Sequence, residues 1–239
     1  MINAELQHRV MARRIHWMTH FTPVENVASI LKHGLVPRAK FAELGIRNLY
    51  VNDLQRRDGY LNGTSLSIEH PNILLLNRWE RDIGGVWVVL LLDPMLIAED
   101  SLPKKFFRGN AASAIRTEVN NNFTPTAADF DELFRDQAYE RLIKMQKLVE
   151  DNRDFSYLAK AKRGWTSADT NDLQAEVMVF DVIPPRSIKA IVVRHRRALS
   201  KLMEVTEKSA LNQWNGKIEI CDVLFSGIRK GNVATRTEQ

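Results

Sequence analysis

Cysteine is almost absent, with Cys221 the single one in 239 residues. One thiol excludes an intramolecular disulfide and any zinc site built from several cysteines, and it fits a cytoplasmic chain. Placed in the apolar run 218–224, Cys221 reads as a small buried hydrophobe rather than a nucleophile. Long hydrophobic runs are missing too. The longest, from Val86 to Leu92, has the length of a strand, so no transmembrane helix is expected. The first residues carry charges with no apolar stretch behind them, and no secretory signal is expected. Neither a GxGxxG turn nor a P-loop occurs, so a dinucleotide site of Rossmann or Walker type is excluded. Internal repeats and low-complexity linkers are also lacking.

What remains is an ordinary folding composition. Hydrophobic residues at 44% and charged ones at 26% rule out wholesale disorder. The length suits one domain, expected over residues 1–228, with a polar tail over 229–239. A formal net charge of +5 favours an anionic partner without proving one. His16, His33, His70 and His195 have no second ligand at a metal spacing, so no metal is expected.

Periodicity predicts the elements. Residues 15–21 read as a strand. Thr22 and Glu25 are spaced as a capping box around Pro23, and Val24, Val27, Ala28 and Leu31 form an apolar stripe that ends at Gly34. This predicts a helix over 23–32. Strands are expected over 64–68, 86–92, 176–182, 188–194 and 217–225. Helices are expected over 110–119, 128–150 and 197–208, the second carrying Phe130, Leu133, Phe134, Ala138, Leu142, Met145 and Val149 on one face. Strands near both ends around central helices make the fold class α+β.

Two distant stretches carry chemistry. Glu176 follows the polar run Asp172-Leu-Gln-Ala and opens an apolar strand, so its carboxylate is held on a rigid element. Such a group stabilises an oxocarbenium-like transition state when a glycosidic bond breaks, and it can take a proton from the attacking acceptor. The competing reading is a plain strand-edge glutamate facing water. His20, beside a predicted helix start, is placed to bind a ribose hydroxyl, with Thr22 next to it; alternatively it is a satisfied structural histidine. Arg56 and Arg57, in a Gly-bounded loop, suit a pyrophosphate clamp or a solvated pair. Ser65 and Ser67 alternate on a short strand and are candidates to support the acid. Two segments mix cations with rings as single-stranded nucleic-acid sites do: 104–108, and Lys160-Ala-Lys162-Arg163-Gly-Trp165. The cluster Arg194-His-Arg-Arg197 either adds to that field or is a solvated helix start.

These stretches resemble the DarT family of NAD-dependent ADP-ribosyltransferase toxins that modify nucleic-acid bases. The resemblance rests on His20-Phe-Thr-Pro-Val-Glu-Asn26-Val-Ala-Ser-Ile-Leu with Gly34, and on the loop around Arg56 and Arg57. It rests also on Ser65-Leu-Ser67-Ile with Pro71-Asn72, and on Leu173-Gln-Ala-Glu176-Val-Met-Val with Ile183-Pro and Ile188. It implies an ADP-ribosyltransferase-like split antiparallel β core with surrounding helices and NAD in the cleft. It implies catalytic roles for Glu176 and Arg57, with Arg56 the alternative. NAD contacts are implied for His20 and Thr22; Asn26, Arg56, Ser65 and Ser67 are further candidates for NAD binding, and Lys160, Lys162, Arg163 and Trp165 are candidates for nucleic-acid contact. Part of residues 152–173 is implied in substrate recognition.

The strand at Ser65-Leu-Ser-Ile lacks the aromatics usual in the thymidine-modifying branch, so thymine and guanine in single-stranded DNA, or a base in RNA, stay open. A toxin role, in a bacterial or phage-defence setting, implies a separately encoded antitoxin. Competing readings are transfer of ADP-ribose to protein, removal of a 2′-phosphate from RNA, and a non-catalytic nucleic-acid-binding regulator.

Overall fold

The computed structural model describes residues 1–47, 50, 58–113, 117–134 and 166–226. Its strands are β1 (Met18–Pro23), β2 (Thr64–Ile68), β3 (Trp87–Leu92), β4 (Lys104–Phe107), β5 (Glu176–Val179), β6 (Ile188–Val193) and β7 (Lys217–Ile220). Among the described residues they form one sheet in the order β4-β5-β2-β1-β3-β6-β7, antiparallel throughout except for the parallel β6–β7 pair. The helices are α1 (Ala4–Ala12), α2 (Val27–His33), α3 (Ile73–Asp82), α4 (Ala127–Asp131), α5 (Arg196–Val205), α6 (Lys208–Gln213) and α7 (Val223–Ser226). The α+β expectation holds, and no described helix is long and apolar enough to cross a membrane.

The sheet centre is covered on both sides, which is why β3 is a continuous apolar run. Val88, Leu90 and Leu92 join the larger core with Leu6, Val10, Val27, Leu31, Phe130 and Leu202 from α1, α2, α4 and α5. Trp87, Val89 and Leu91 face the other way, onto Ile73 and Leu76 of α3 and Leu224 and Phe225 of α7. Alternation along one strand thus sorts the helices into two layers.

Several boundaries depart from the sequence expectations. Thr22 does not cap a helix: it lies within β1, and Pro23 precedes a 3-10 turn over Val24–Asn26 that leads into α2. Pairing of β1 with β3 through Pro23 takes priority over the local capping signal. Residues 110–113 and 117–119 are not helical; Glu118 instead bridges to Phe107. The expected last strand stops at Ile220, and a short helix follows from Val223. Of the helix expected over 128–150, α4 covers the start, and residues beyond 134 lie outside the described part, as does the 229–239 tail. Four elements went unforeseen: α1, α3, α6 and β4. Helices α1 and α3 are each opened by an asparagine, Asn3 and Asn72, whose side chain accepts from backbone N–H groups.

Gly34 ends α2 at φ 86° and ψ −175°, a region open in practice to glycine alone. A Cβ there would stand 2.2 Å from the Ile183 carbonyl oxygen. The close approach lets Leu35 and Ile183 exchange backbone hydrogen bonds of 2.9 and 3.0 Å. Two of the singled-out stretches, one carrying His20 and the other Glu176, are thereby tied together.

Candidate active site at the split in the sheet

Strand β1 pairs with β3 along all of Met18–Pro23, but with β2 only at Met18↔Ile68 and Thr19↔Ser67. Beyond Thr19 the two strands part, and side chains take over the work of the ladder. The Thr19 hydroxyl donates to the Ser67 carbonyl at 3.4 Å. His20 Nδ1 lies 3.0 Å from the Ser65 carbonyl oxygen. A carbonyl only accepts, so this contact puts a proton on Nδ1 and leaves Nε2 as the acceptor of the neutral ring.

On the other side of β2, the register pairs Ser65 with Met178 and Leu66 with Val177, so Glu176 lies diagonally across from Ser65. The Ser65 hydroxyl donates to Glu176 Oε2 at 2.8 Å. Ser65 therefore joins the two predicted site residues, His20 through its backbone and Glu176 through its side chain. The glutamate is only 6% exposed and is paired on its far side with Phe107. Its carboxylate is neither a solvated strand-edge group nor free to swing.

Thr22 and Asn26 lie at the other end of β1. The Asn26 amide nitrogen donates to the Thr22 hydroxyl at 3.0 Å and to the Tyr50 carbonyl at 2.9 Å, and its oxygen accepts from the Tyr50 N–H at 2.9 Å. Both Asn26 donors are thus engaged within the protein, and its side chain acts as a backbone-like splint that holds Tyr50 beside Thr22. Thr22 and Asn26 are buried, whereas Tyr50 is 61% exposed. Tyr50 escaped the sequence reading, because the Asn26 side chain, 24 positions away, holds it here. Ser67 is buried near the point where the strands part.

Arg56, Arg57, Lys160, Lys162, Arg163 and Trp165 lie outside the described residues. The other basic–aromatic stretch, 104–108, is not a nucleic-acid surface along its strand: Lys104 and Lys105 are 2% and 7% exposed in β4. Lys105 is ion-paired with Glu118. Lys104 donates to the Glu99 carbonyl at 2.6 Å, and burial lowers its pKa to about 8. Arg194 is likewise structural, 2.7 Å from Glu80, and His195 caps α5 by accepting from the Ala198 N–H at 3.1 Å. No cluster of three or more His, Cys, Asp or Glu able to hold a metal occurs among the described residues.

Comparison with solved structures finds the same fold. A Thermus sp. 2.9 DarT in complex with ADP-ribosylated ssDNA aligns with TM-score 0.56 and 14% identity, over 89% of this chain and 97% of that one. A Thermosipho africanus DarTG in complex with ADP-ribose aligns with TM-score 0.55 and 17% identity over 88% of this chain; the present chain spans 51% of its length. The Thermus sp. 2.9 DarT in complex with NAD+ gives TM-score 0.50 and 15% identity, over 87% and 96% of the two chains. No curated protein sequence matches. A profile described as "DarT: ssDNA thymidine ADP-ribosyltransferase" matches residues 19–225, a range that holds every strand of the sheet except Met18 of β1, and every candidate site residue. By that match the chain belongs to the DarT family.

Proposed function

We propose that the protein is an NAD-dependent ADP-ribosyltransferase that modifies thymine in single-stranded DNA, with the split between β1 and β2 as its NAD cleft. The observation that supports this most is the His20–Ser65–Glu176 connection, because it brings two segments remote in sequence to one opening in the sheet. The family description names single-stranded DNA and thymidine. Solved DarT structures of the same fold hold NAD+ and ADP-ribosylated ssDNA.

In this reading, His20 Nε2 accepts from a ribose hydroxyl of NAD, while its Nδ1 contact to Ser65 fixes the ring. Thr22 borders the cleft two residues further along β1, with Asn26 and Ser67 as supports. As the bond between ribose C1′ and the nicotinamide nitrogen lengthens, Glu176 stabilises the cationic sugar. Nicotinamide leaves with the bonding electrons. A ring nitrogen of the base then attacks C1′, and its proton passes to Glu176. Arg57, or Arg56 in its place, clamps a phosphate or the base. Lys160, Lys162, Arg163 and Trp165 supply cations and a ring to the acceptor strand.

The domain runs to about residue 228. We place its action in the cytoplasm, as a toxin held in check by an antitoxin partner. Labelled NAD incubated with oligonucleotides of each base composition tests the reading. Label on thymine-containing single strands, lost in Glu176→Ala, is the expected result; no transfer, or equal transfer by Glu176→Ala, refutes it.

A further inference from the structure

The two edges of the sheet are finished differently. At β4 the chain itself takes up the outward backbone groups. Lys104 N–H donates to the Phe123 carbonyl at 2.8 Å, Phe106 N–H to Asn120 Oδ1 at 2.8 Å, and Val119 N–H to the Phe106 carbonyl at 2.8 Å. At β7 the outer side is left open. The Cys221 N–H donates to the Val193 carbonyl at 2.9 Å, so the alternate residues Lys217 and Glu219 also turn their backbone groups to β6. Those of Ile218 and Ile220, and of Gly216 just before the strand, face outward. Among the described residues none of these outward groups is hydrogen-bonded. Such a row is a template for another strand.

We propose that β7 is the interface of a symmetric dimer, in which this edge pairs antiparallel with the same edge of a second copy and Ile218 faces itself across the two-fold axis. Charge selects both the partner and the register. Hydrogen bonding requires outward-facing residues to stand opposite one another. Of the registers this allows, Ile218 opposite Gly216 sets Lys217 against Lys217, and Ile218 opposite Ile220 sets Glu219 against Glu219. Like charges directly opposite are destabilising. With Ile218 opposite itself, each Lys217 meets the Glu219 of the other copy, so both charges are matched on both sides of the axis.

The other face of the strand agrees with this register. Ile220 is 47% exposed, although its neighbour in β6, Val193, is fully buried. Across the axis it stands opposite Gly216, where the Trp214 ring occupies the place of a side chain: a Cβ on Gly216 would lie 2.0 Å from Trp214 Cζ2. The Trp214 Nε1–H donates to the Ile188 carbonyl at 2.9 Å and fixes that ring. Each exposed isoleucine thus meets an aromatic ring laid over a strand-edge glycine. The β1–β2 split lies further inside the sheet, beyond β3 and β6, so pairing leaves it open and does not depend on the function proposed above. A contact built on so short a strand makes a weak dimer that forms with rising concentration.

Sedimentation velocity of the full chain over a series of concentrations tests this. The wild type is expected to show a species of twice the 27.5 kDa chain mass that grows with concentration. Lys217→Glu and Glu219→Lys each set like charges against one another, and each abolishes the dimer. An equimolar mixture of these two variants recovers it, because every glutamate then faces a lysine; the double variant Lys217→Glu/Glu219→Lys recovers it for the same reason. Neither side chain lies in the core, so Tm stays near wild type in all variants. A wild type that keeps the mass of one chain at every concentration overturns the proposal and leaves the edge to a strand of another protein. A dimer that survives both charge reversals, or one that the mixture fails to restore, overturns it as well.

Discussion

Replacing Ser65 by alanine separates the two contacts this residue makes. The variant keeps the backbone carbonyl that His20 Nδ1 touches at 3.0 Å and deletes only the hydroxyl that donates to Glu176 Oε2 at 2.8 Å. A hydrogen bond to a charged group contributes about 1.5–3 kcal/mol. Glu176 is 6% exposed, so little water is available to replace the lost donor, and the upper part of that range applies. If the hydroxyl serves to aim the carboxylate at the developing cation, that energy belongs to the transition state. At about 1.4 kcal/mol for each factor of ten, kcat falls by about 30- to 150-fold. KM for NAD stays within about twofold, because the interaction is absent from ground-state binding. Ser65→Thr keeps the hydroxyl and retains most of the rate. Initial-rate kinetics with a saturating oligonucleotide and varied NAD read both parameters. A Ser65→Ala enzyme with wild-type kcat, or one whose defect is a raised KM for NAD at unchanged kcat, would show that the hydroxyl does not orient the acid.

His20→Ala is expected to do the opposite, raising KM for NAD by about tenfold through loss of one hydrogen bond, with a smaller change in kcat; titration of the protein with a non-hydrolysable NAD analogue checks this. Gly34→Ala is expected to cost about 3 kcal/mol, because the Cβ would stand 2.2 Å from the Ile183 carbonyl oxygen at a backbone conformation reserved for glycine, and urea denaturation measures it. Lys104 ties stability to pH. Its pKa falls from 10.5 unfolded to about 8 folded, so the unfolded chain binds more protons between those values and stability rises as pH increases through that window. The penalty is fully present at neutral pH and amounts to about 3 kcal/mol. Lys104→Met, which removes the charge and the bond to Glu99, should gain about 2 kcal/mol at pH 7 and flatten the dependence in denaturation curves recorded from pH 7 to 10.

The sequence made legible those features whose cause is local. Strand β2 was placed residue for residue, because Thr64 to Ile68 alternates and is bounded by turns. The Gly34 stop was readable for a similar reason, since a glycine after an apolar stripe signals a left-handed cap. Thr22 misled because sheet pairing took the residue that the capping pattern claimed. The run 104–108 misled further: its lysines resemble a phosphate-tracking surface, and only the fold reveals that β4 buries them beside Glu99 and Glu118. In the candidate site, the residue types at Glu176 and His20 carried the expectation, and the fold brings both against Ser65. The role of Ser65 as their link follows from a register and a parting of strands that no local pattern encodes. Tyr50 was invisible for the same reason, being held beside Thr22 by the distant Asn26 side chain.

The most direct test of the central claim is nucleoside mass spectrometry on single-stranded oligonucleotides after incubation with NAD, comparing the wild type with Glu176→Ala. The expected outcome is one ADP-ribose on thymidine with release of nicotinamide, absent for the variant. ADP-ribose found on another base, on protein or nowhere, or equal modification by both proteins, would contradict the account.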